Sequence, residues 1–217
     1  VRFLGNLGFI VTFRIIDPLF VIDLSDPIHP TIVGELKIPG FSCYLHPINT
    51  SLLLGVGREV KVLGDRERIL GIKLSLFNIE NVSAPREVSK LVLGDVGSAT
   101  PVLRDHRAFL YYPEKHIALL PMMLTSLRIT EKNGSTSLTK AVWQGLIIVR
   151  VSSKGLTILG NVSHIVLFQD EASGSVRTEY YVIRCAYIGN YLYVVSNAYV
   201  TAHSLRDLTL IASVRLG

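Results

Sequence analysis

Cysteine is scarce in this sequence. The 217 residues include two cysteines, Cys43 and Cys185, which lie far apart and have no CxxC partner. A cysteine-rich zinc site and a disulfide-dense scaffold are therefore excluded. The pattern favours two small buried side chains, and it leaves open whether Cys43 and Cys185 form one long-range disulfide.

Long apolar helices are also missing. Hydrophobic residues make up 49% of the chain and the mean hydropathy is +0.41, so a membrane span has to be considered. The two longest stretches without Lys, Arg, Asp or Glu are residues 38–57 and 185–205, and each is long enough to cross a bilayer. Both contain glycine and asparagine between short apolar runs, which is typical of strands and turns. We therefore expect no transmembrane segment.

Clusters of one charge are absent as well. The net charge of +5 arises from 22 basic and 17 acidic residues. The basic residues are scattered and do not interleave with aromatic ones, so we expect no nucleic-acid partner. The nucleophile signature GxSxG does not occur, and GVGREVKVLGD (55–65) lacks the GKS/T of a phosphate loop. No catalytic residue and no cofactor are predicted.

Short β-rich runs separated by Gly, Pro, Asn and Asp dominate the sequence. A shift of 55 residues places LFVIDLSDPIHPTIVGELKIPG (19–40) on LSLFNIENVSAPREVSKLVLGD (74–95) without a gap. Further copies are LIIVRVSSKGLTILGNVSH (146–164) and, more loosely, YVTAHSLRDLTLIASVRLG (199–217). Further strand candidates precede each copy, so the unit has four strands in about 50 to 70 residues, which is the pattern of a β-propeller blade.

We therefore predict an all-β fold, a β-propeller fragment of about four blades built from four-stranded antiparallel sheets. The predicted blades are an incomplete one at about 1–40, followed by 41–95, 96–165 and 166–217. In the third blade the first strands are assigned to 99–104 and to the runs around 108–123. Because the chain opens inside a strand, we expect that an N-terminal part of the protein precedes Val1.

Three polar segments extend the predicted blades. They are expected to form either plain surface loops or a recognition rim. These segments are 58–70, 128–141 and 169–179.

Three phrases are similar to a known family: DPLFVIDLSDPIHPTIVGELKIPGFSCYLHP (17–47), GIKLSLFNIENVSAPREVSKLVLGD (71–95) and YIGNYLYVVSN (187–197). Over nearly its whole length the chain resembles archaeal and bacterial proteins described as secreted, with a C-terminal β-propeller domain distantly related to WD40 repeats. The resemblance implies export and the propeller fold, and it supplies no catalytic residues. It leaves the total number of blades and the closure of the ring open.

Candidate metal or acid–base residues occur in VIDLSDPIHP (21–30), where Asp23, Asp26 and His29 follow one another at spacings of three. The copy at 76–85 lacks both acids and the histidine. It has asparagine in place of each aspartate, and both residue types hydrogen-bond nearby backbone N–H groups. The pattern therefore favours a turn between the third and fourth strands of a blade.

A second candidate site uses polar residues that different blades would bring to the central channel of a propeller. His46, Asp105 and His106 are its candidate metal or ligand-binding residues, and separate surface or turn positions are the alternative. Convergence of these side chains would indicate a hydrolase or lyase, whereas a broad rim patch would indicate a binding module.

Half of the asparagines begin an N-x-S triplet, which either predicts glycosylation of an exported chain or reflects the composition of turns. They are Asn49, Asn81, Asn133 and Asn161. The single tryptophan, Trp143, is expected either to pack against the third blade or to lie on a binding rim.

The favoured function is an exported, non-enzymatic interaction or scaffold domain, secreted or associated with the cell envelope. It is expected to bind a protein or a glycan at the cell surface through its rim and loops. A propeller enzyme with a polar site at the central channel is the alternative. The sequence does not identify the ligand, because a fold alone does not determine function.

Overall fold

The structure, a computed structural model, describes residues 1–12, 16–63, 66–132, 135–168 and 177–217. Within these ranges the chain forms four antiparallel sheets of four strands each. Every sheet is built from strands that follow one another along the chain. This confirms the predicted all-β fold and its four-stranded repeating unit.

The first sheet contains β1 (Arg2–Leu4), β2 (Leu7–Val11), β3 (Ile16–Asp23) and β4 (Thr31–Pro39), in that order. The sequence pattern predicts an incomplete blade here, whereas the sheet has four strands. The difference comes from β1, which has three residues and is joined to β2 by a tight turn with Gly5 at a φ of 57°. Three residues are too few for the alternation of a strand to be recognised.

The second sheet contains β5 (Phe41–Pro47), β6 (Leu52–Leu63), β7 (Arg66–Asn78) and β8 (Arg86–Leu93). The two central strands are buried on both faces over most of their apolar residues, whereas side chains of the edge strand β8 alternate between exposed and half-buried. Continuous apolar runs in central strands and alternation at an edge are what such a sheet requires.

The third sheet contains β9 (Leu110–Tyr112), β10 (Ile117–Lys132), β11 (Ser135–Ser152) and β12 (Gly155–Val162). Short 3₁₀ helices precede or join its first strands. They are Pro101–Leu103, His106–Ala108 and Pro113–Lys115.

The prediction of a strand at 99–104 is wrong. Pro101–Leu103 form a 3₁₀ helix, and a single isolated bridge joins Ala99 to Met123. Thr100 begins the helix, because its hydroxyl accepts a hydrogen bond from the backbone N–H two residues further on. Proline at the first helical position has a fixed φ that suits the helix, so the capping residue and the proline outweigh the apolar character of the run.

The fourth sheet contains β13 (Val182–Ile188), β14 (Tyr191–Ser196), β15 (Tyr199–Ser204) and β16 (Leu210–Arg215), and the short helix α1 (His164–Phe168) lies between the third and fourth sheets in the chain. In the part of the chain that the structure describes, no helix is both long enough and apolar enough to cross a membrane.

The chain divides into two compact units, each with its own core. The first unit comprises Val1–Ser98 with Ser152–Leu156, and the second comprises Ala99–Val151 with Thr157–Gly217. Side chains from the first two sheets form the core of the first unit, namely Phe9, Leu19, Val21, Leu45, Leu53, Phe77 and Ile79. Side chains from the last two sheets form the core of the second unit, namely Ile117, Leu119, Leu146, Ile148, Val162, Val182, Leu192 and Val194.

Candidate functional site

The segment VIDLSDPIHP forms the turn from β3 to β4. Asp23 Oδ1 accepts a hydrogen bond from the Ser25 N–H at 2.8 Å, and Asp26 Oδ1 accepts one from the Ile28 N–H at 3.0 Å. His29 Nδ1 lies 2.9 Å from Asp26 Oδ2. The hydrogen bonds from the Ser25 hydroxyl to Asp23 and from the His29 ring to Asp26 lower the pKa values of both exposed carboxylates. Both acids therefore satisfy donors within their own turn.

The same bonds recur 55 residues later. Asn78 Oδ1 accepts from the Glu80 N–H at 3.0 Å, and Asn81 Oδ1 accepts from the Ser83 N–H at 3.2 Å. In both turns the residue three positions after the second Asp or Asn also donates its N–H to that residue's carbonyl oxygen. A neutral amide thus replaces each carboxylate without loss of a backbone bond, which confirms the interpretation of the segment as a turn.

Two of the N-x-S asparagines have a turn-forming role. Asn49 Oδ1 accepts from the N–H and the hydroxyl of the serine two residues on, at 2.9 and 3.1 Å, and Asn81 Oδ1 makes the equivalent bonds at 3.2 and 2.8 Å. Asn161 is exposed on β12, and Asn133 lies outside the described residues. Turn formation accounts for the triplets at Asn49 and Asn81, and glycosylation at the four positions stays a prediction.

The two cysteines differ in exposure. Cys43 on β5 is exposed and Cys185 on β13 is half-buried, and neither is part of a disulfide. Burial raises the pKa of the Cys185 thiol to about 12. The interpretation as two small buried side chains therefore suits Cys185 and does not hold for Cys43.

His46 lies on β5 in the first unit, beside a tyrosine and an arginine. Its Nδ1 is 3.1 Å from the Tyr44 hydroxyl, and the guanidinium of Arg2 lies 5.0 Å from the centre of the Tyr44 ring. Burial, together with the positive charge of Arg2, lowers the pKa of His46 to about 4. His46 is therefore a half-buried, neutral imidazole at pH 7.

Asp105 and His106 lie in the second unit, at the start of the 3₁₀ helix His106–Ala108. Asp105 Oδ1 accepts from the N–H and from the Nε of Arg107, each at 3.0 Å, and Arg184 Nη2 donates to Asp105 Oδ2. These contacts, chiefly the hydrogen bond from the Arg107 side chain, lower the pKa of Asp105 to about 2. The Asp105 carboxylate is thus paired with two arginines, and His106 is exposed.

The described part of the chain offers no grouped metal ligands: within it, no three His, Cys, Asp or Glu side chains lie together so that they could hold a metal ion. The structure places His46 in the first unit and Asp105 and His106 in the second.

The fourth sheet contains a buried polar chain that no sequence motif indicates. His164 at the start of α1 is fully buried, with its Nδ1 2.8 Å from Ser196 Oγ and its Nε2 2.9 Å from Thr201 Oγ1. The Nε2 of His203 lies 2.9 Å from the same threonine oxygen, and its Nδ1 lies 3.1 Å from the Leu208 carbonyl oxygen. We call this series of bonds, from Ser196 to Leu208, the histidine chain.

The carbonyl at one end determines one proton position in the histidine chain. The Leu208 carbonyl can only accept, so His203 Nδ1 carries a proton. Burial lowers the pKa values of His203 and His164, so both imidazoles are neutral at pH 7.

The two hydroxyls of the histidine chain also lie near backbone carbonyl oxygens. Thr201 Oγ1 is 2.9 Å from the Nε2 atoms of both histidines and 3.5 Å from the Val194 carbonyl oxygen. Ser196 Oγ is 3.4 Å from the Tyr199 carbonyl oxygen and accepts the Tyr199 N–H at 3.0 Å. Each hydroxyl therefore has a backbone acceptor as well as an imidazole partner.

The histidine chain is suited to holding the fold together. Burial lowers the pKa of His164 to about 4, with a contribution from His203, and it also lowers the pKa of His203. Ser196 and His164 have the residue types of a nucleophile and its base, but Ser196 is 1% exposed, so a substrate cannot reach it. The histidine chain instead links α1 to β14 and β15.

Part of the charged segment 58–70 lies in the interior of the first unit. Lys73 is 3% exposed, and its Nζ lies 3.6 Å from Glu59 Oε2, 3.2 Å from Glu87 Oε1 and 2.8 Å from the Pro39 carbonyl oxygen. The side chain of Glu59 is 13% exposed. The expectation of a plain surface loop therefore does not hold for Glu59, whose buried partner lies on the next strand.

Two hairpins extend beyond the strands beside them. In the third sheet, β9 pairs with the first three residues of β10, and β12 ends beside Gly145. Pairing between β10 and β11 continues from Leu124–Trp143 to Lys132–Ser135. Among the described residues no strand flanks this part of the hairpin, which we call the long ribbon. Its tip, residues 133–134, lies outside the described residues.

The hairpin β6–β7 has a shorter extension of the same kind. Its pairing continues to Leu63–Arg66, past the last residues that pair with β5 and β8. The two extensions coincide with the polar segments 58–70 and 128–141 that the sequence singles out. The third segment, 169–179, lies mostly outside the described residues.

Trp143 packs against the third sheet at the base of the long ribbon. It is half-buried, and a Cβ added to Gly145 would lie 2.6 Å from its ring. The absence of a side chain on Gly145 therefore leaves the space that the indole occupies. Of the two alternatives considered for Trp143, the structure supports packing.

Comparisons with known proteins agree with the architecture. The model of a family described as a beta propeller domain matches residues 1–208. An uncharacterised protein of Archaeoglobus fulgidus is 46% identical over 142 residues, which are 65% of this chain and 21% of that protein. An uncharacterised protein of Methanocaldococcus jannaschii is 45% identical over 121 residues, which are 56% of this chain and 18% of that protein. The chain spans about a fifth of the length of these curated relatives.

Proposed function

Because the chain belongs to the beta propeller domain family, we propose that it is an exported, non-enzymatic interaction domain that binds a protein through its rim. Export is supported by the resemblance to secreted proteins with a propeller distantly related to WD40 repeats. Binding is supported by the long ribbon, which is the observation that carries the proposal.

Beyond the pair Leu127–Lys140, and among the described residues, no further strand pairs with either strand of the long ribbon. Pairing between β10 and β11 runs without a break from Leu124–Trp143 to Lys132–Ser135. Strands with an unpaired edge present a row of backbone N–H and C=O groups that can accept a further strand. A two-stranded hairpin is also marginally stable in water on its own. An added strand from a partner would satisfy these groups and stabilise the ribbon, which is the mode of β-augmentation.

The base of the ribbon is built to hold it in place. Trp143 packs over Gly145, next to strands that are buried on both faces. A rigid base reduces the ordering cost of binding, because fewer backbone angles have to be fixed when the partner adds its strand.

The proposal is tested by shortening the ribbon. Residues 128–139 are replaced by Asn-Gly, which joins the paired residues Leu127 and Lys140 through a two-residue hairpin turn. In the full-length protein, we expect this change to abolish capture of a specific envelope protein and to leave the circular dichroism spectrum of a β protein. The matched control replaces 62–67 by Asn-Gly between Lys61 and Arg68 and should retain capture.

Reconstitution completes the test. The captured protein, once purified, should bind the unmodified chain and fail to bind the shortened one. Equal binding to both would overturn the role of the ribbon. Export is tested separately by cell fractionation of the full-length protein, and recovery in the cytoplasm alone would overturn that part of the proposal.

A further inference from the structure

A cleft in the second unit consists of two adjoining cavities of about 430 and 560 Å³. Lys115 and Arg206 line both of them. Each volume lies within the range of about 300 to 1,000 Å³ that is typical of ligand sites. The cleft is formed by the turns and strand ends of the third and fourth sheets, and it includes no residue of the long ribbon.

Three cations from three different elements line this cleft. Lys115 ends a 3₁₀ helix, Arg150 lies near the end of β11, and Arg206 lies in the turn from β15 to β16. Among the described residues, none of the three makes an ion pair with a carboxylate within 4.0 Å. The one acid of the lining, Asp207, accepts from the N–H and hydroxyl of Thr209, at 3.2 and 2.8 Å. These bonds lower the pKa of its carboxyl, with a smaller contribution from the charge of Arg206.

Both cavities combine polar and apolar lining. The smaller one has an apolar floor, in which Ile117 and Ile148 are 5% and 2% exposed, with charged side chains beside it that include Arg150. The larger one presents polar groups together with the apolar Ile211, the polar groups coming from Asn190, Ser204 and Tyr191. An apolar side chain therefore fits against the floor of the smaller cavity, next to a cation.

Leu208 lines the cleft, and its backbone has an unusual conformation that contacts with neighbouring residues stabilise. Its φ is 62°, in the left-handed region that a leucine rarely adopts. Its N–H donates to the Ser204 carbonyl oxygen at 2.9 Å, and its own carbonyl accepts from His203 in the histidine chain. A Cβ added to Gly160 would lie 2.5 Å from the Leu208 Cδ1, so the leucine packs into the space that this glycine leaves. Strained backbone of this kind persists only where the surroundings fix it, and it is common at ligand sites.

We propose that this cleft binds an extended acidic peptide in which carboxylates alternate with branched apolar side chains. The carboxylates pair with Lys115, Arg150 and Arg206, and an apolar side chain enters the cavity floored by Ile117 and Ile148. An extended peptide places successive side chains on opposite sides, so its carboxylates share one side and its apolar side chains share the other. The cleft offers both kinds of contact, with Lys115 and Arg206 in both cavities and an apolar floor in the smaller one. The site goes beyond the proposed ribbon contact and does not depend on it.

The test uses a fluorescein-labelled hexapeptide of alternating aspartate and leucine, with fluorescence anisotropy as the readout. We expect saturable binding that weakens between about 0.05 M and about 0.5 M salt, because screening shortens the range of the charges. Arg206→Glu should weaken binding about tenfold, since it replaces an attraction by a repulsion. The matched control is Arg215→Glu on the exposed strand β16, which makes the same charge change outside the cleft and should have no effect.

Two further peptides and one further variant complete the design. Replacing the leucines by serine should weaken binding about tenfold, because the apolar cavity is left empty, and replacing the aspartates by lysine should abolish it. Equal weakening by Arg206→Glu and Arg215→Glu, or equal binding of the leucine and serine peptides, would overturn the proposal in favour of a diffuse basic surface. The variant with the shortened ribbon should bind the peptide normally, so failure of the ribbon proposal and failure of this one are distinguishable.

Discussion

Lowering the pH from 7 to 5 should destabilise the second unit through the histidine chain. The pKa of His164 is lowered to about 4, chiefly by burial, from an ordinary value of 6.5. Below pH 6.5 the unfolded chain therefore binds a proton that the folded chain does not bind. The stabilisation is fully present above pH 6.5, and it is lost as the pH falls from there towards 4.

The size of the effect follows from the two pKa values. At pH 5 the free energy of unfolding should be lower by about 2 kcal/mol on account of His164 alone. The lowered pKa of His203 acts in the same direction, as does that of His46 in the first unit.

The assay is urea unfolding at several pH values, followed by the fluorescence of Trp143, which is the single tryptophan and lies in the same unit. His164→Gln removes the titrating ring, so its stability should fall less steeply between pH 7 and 5 than that of the unmodified chain. His29→Gln removes an exposed imidazole from a turn in the first unit and serves as the control. Equal slopes for the unmodified chain and His164→Gln would refute the reasoning.

Three substitutions test packing elsewhere. Gln144→Leu removes two bonds of 2.8 Å to the backbone of Val182 and should cost about 2 to 4 kcal/mol in urea unfolding, because a buried N–H and C=O lose their partners. Gly57→Ala places a Cβ against the Phe41 carbonyl oxygen and should lower the thermal midpoint, at a cost of about 1 to 3 kcal/mol. Lys73→Met leaves Glu87 without its cation and Glu59 with Lys90 alone, and it should cost about 3 kcal/mol in the same unfolding assay.

The third and fourth strands of each blade could be predicted from the sequence because they repeat. The copies 19–40 and 74–95 begin within β3 and β7 and contain all of β4 and β8. The short strands β1 and β9 carry little signal, since each has three residues. A three-residue strand forms because it pairs with a neighbouring strand, and its own three residues do not indicate which strand that is.

The buried polar groups could not be predicted because their partners are distant in the sequence. His164 is bonded to residues 32 and 37 positions later. Lys73 stands in an apolar run and pairs with Glu59 on the preceding strand. A single histidine or lysine in such a run indicates a surface or turn position equally well, and only the fold brings the partner within reach.

The turns of the repeat show which polar residues are available for function. The oxygens of Asp26 and Asn81 occupy equivalent positions and accept equivalent backbone N–H groups, so the repeat preserves an acceptor and does not preserve a charge. In the third copy the turn between β11 and β12 ends at a glycine, Gly155, which has a φ of 129°. Side chains whose oxygens already accept hydrogen bonds from nearby backbone N–H groups are poor candidates for binding a ligand. Arg206 differs from them, because among the described residues its guanidinium has no ion-pair partner while it lines both cavities of the cleft. The charge of Arg206 acts on Asp207 only as the last and smallest cause of that carboxyl's lowered pKa. A cation without a close ion pair is where an acidic partner gains most on binding.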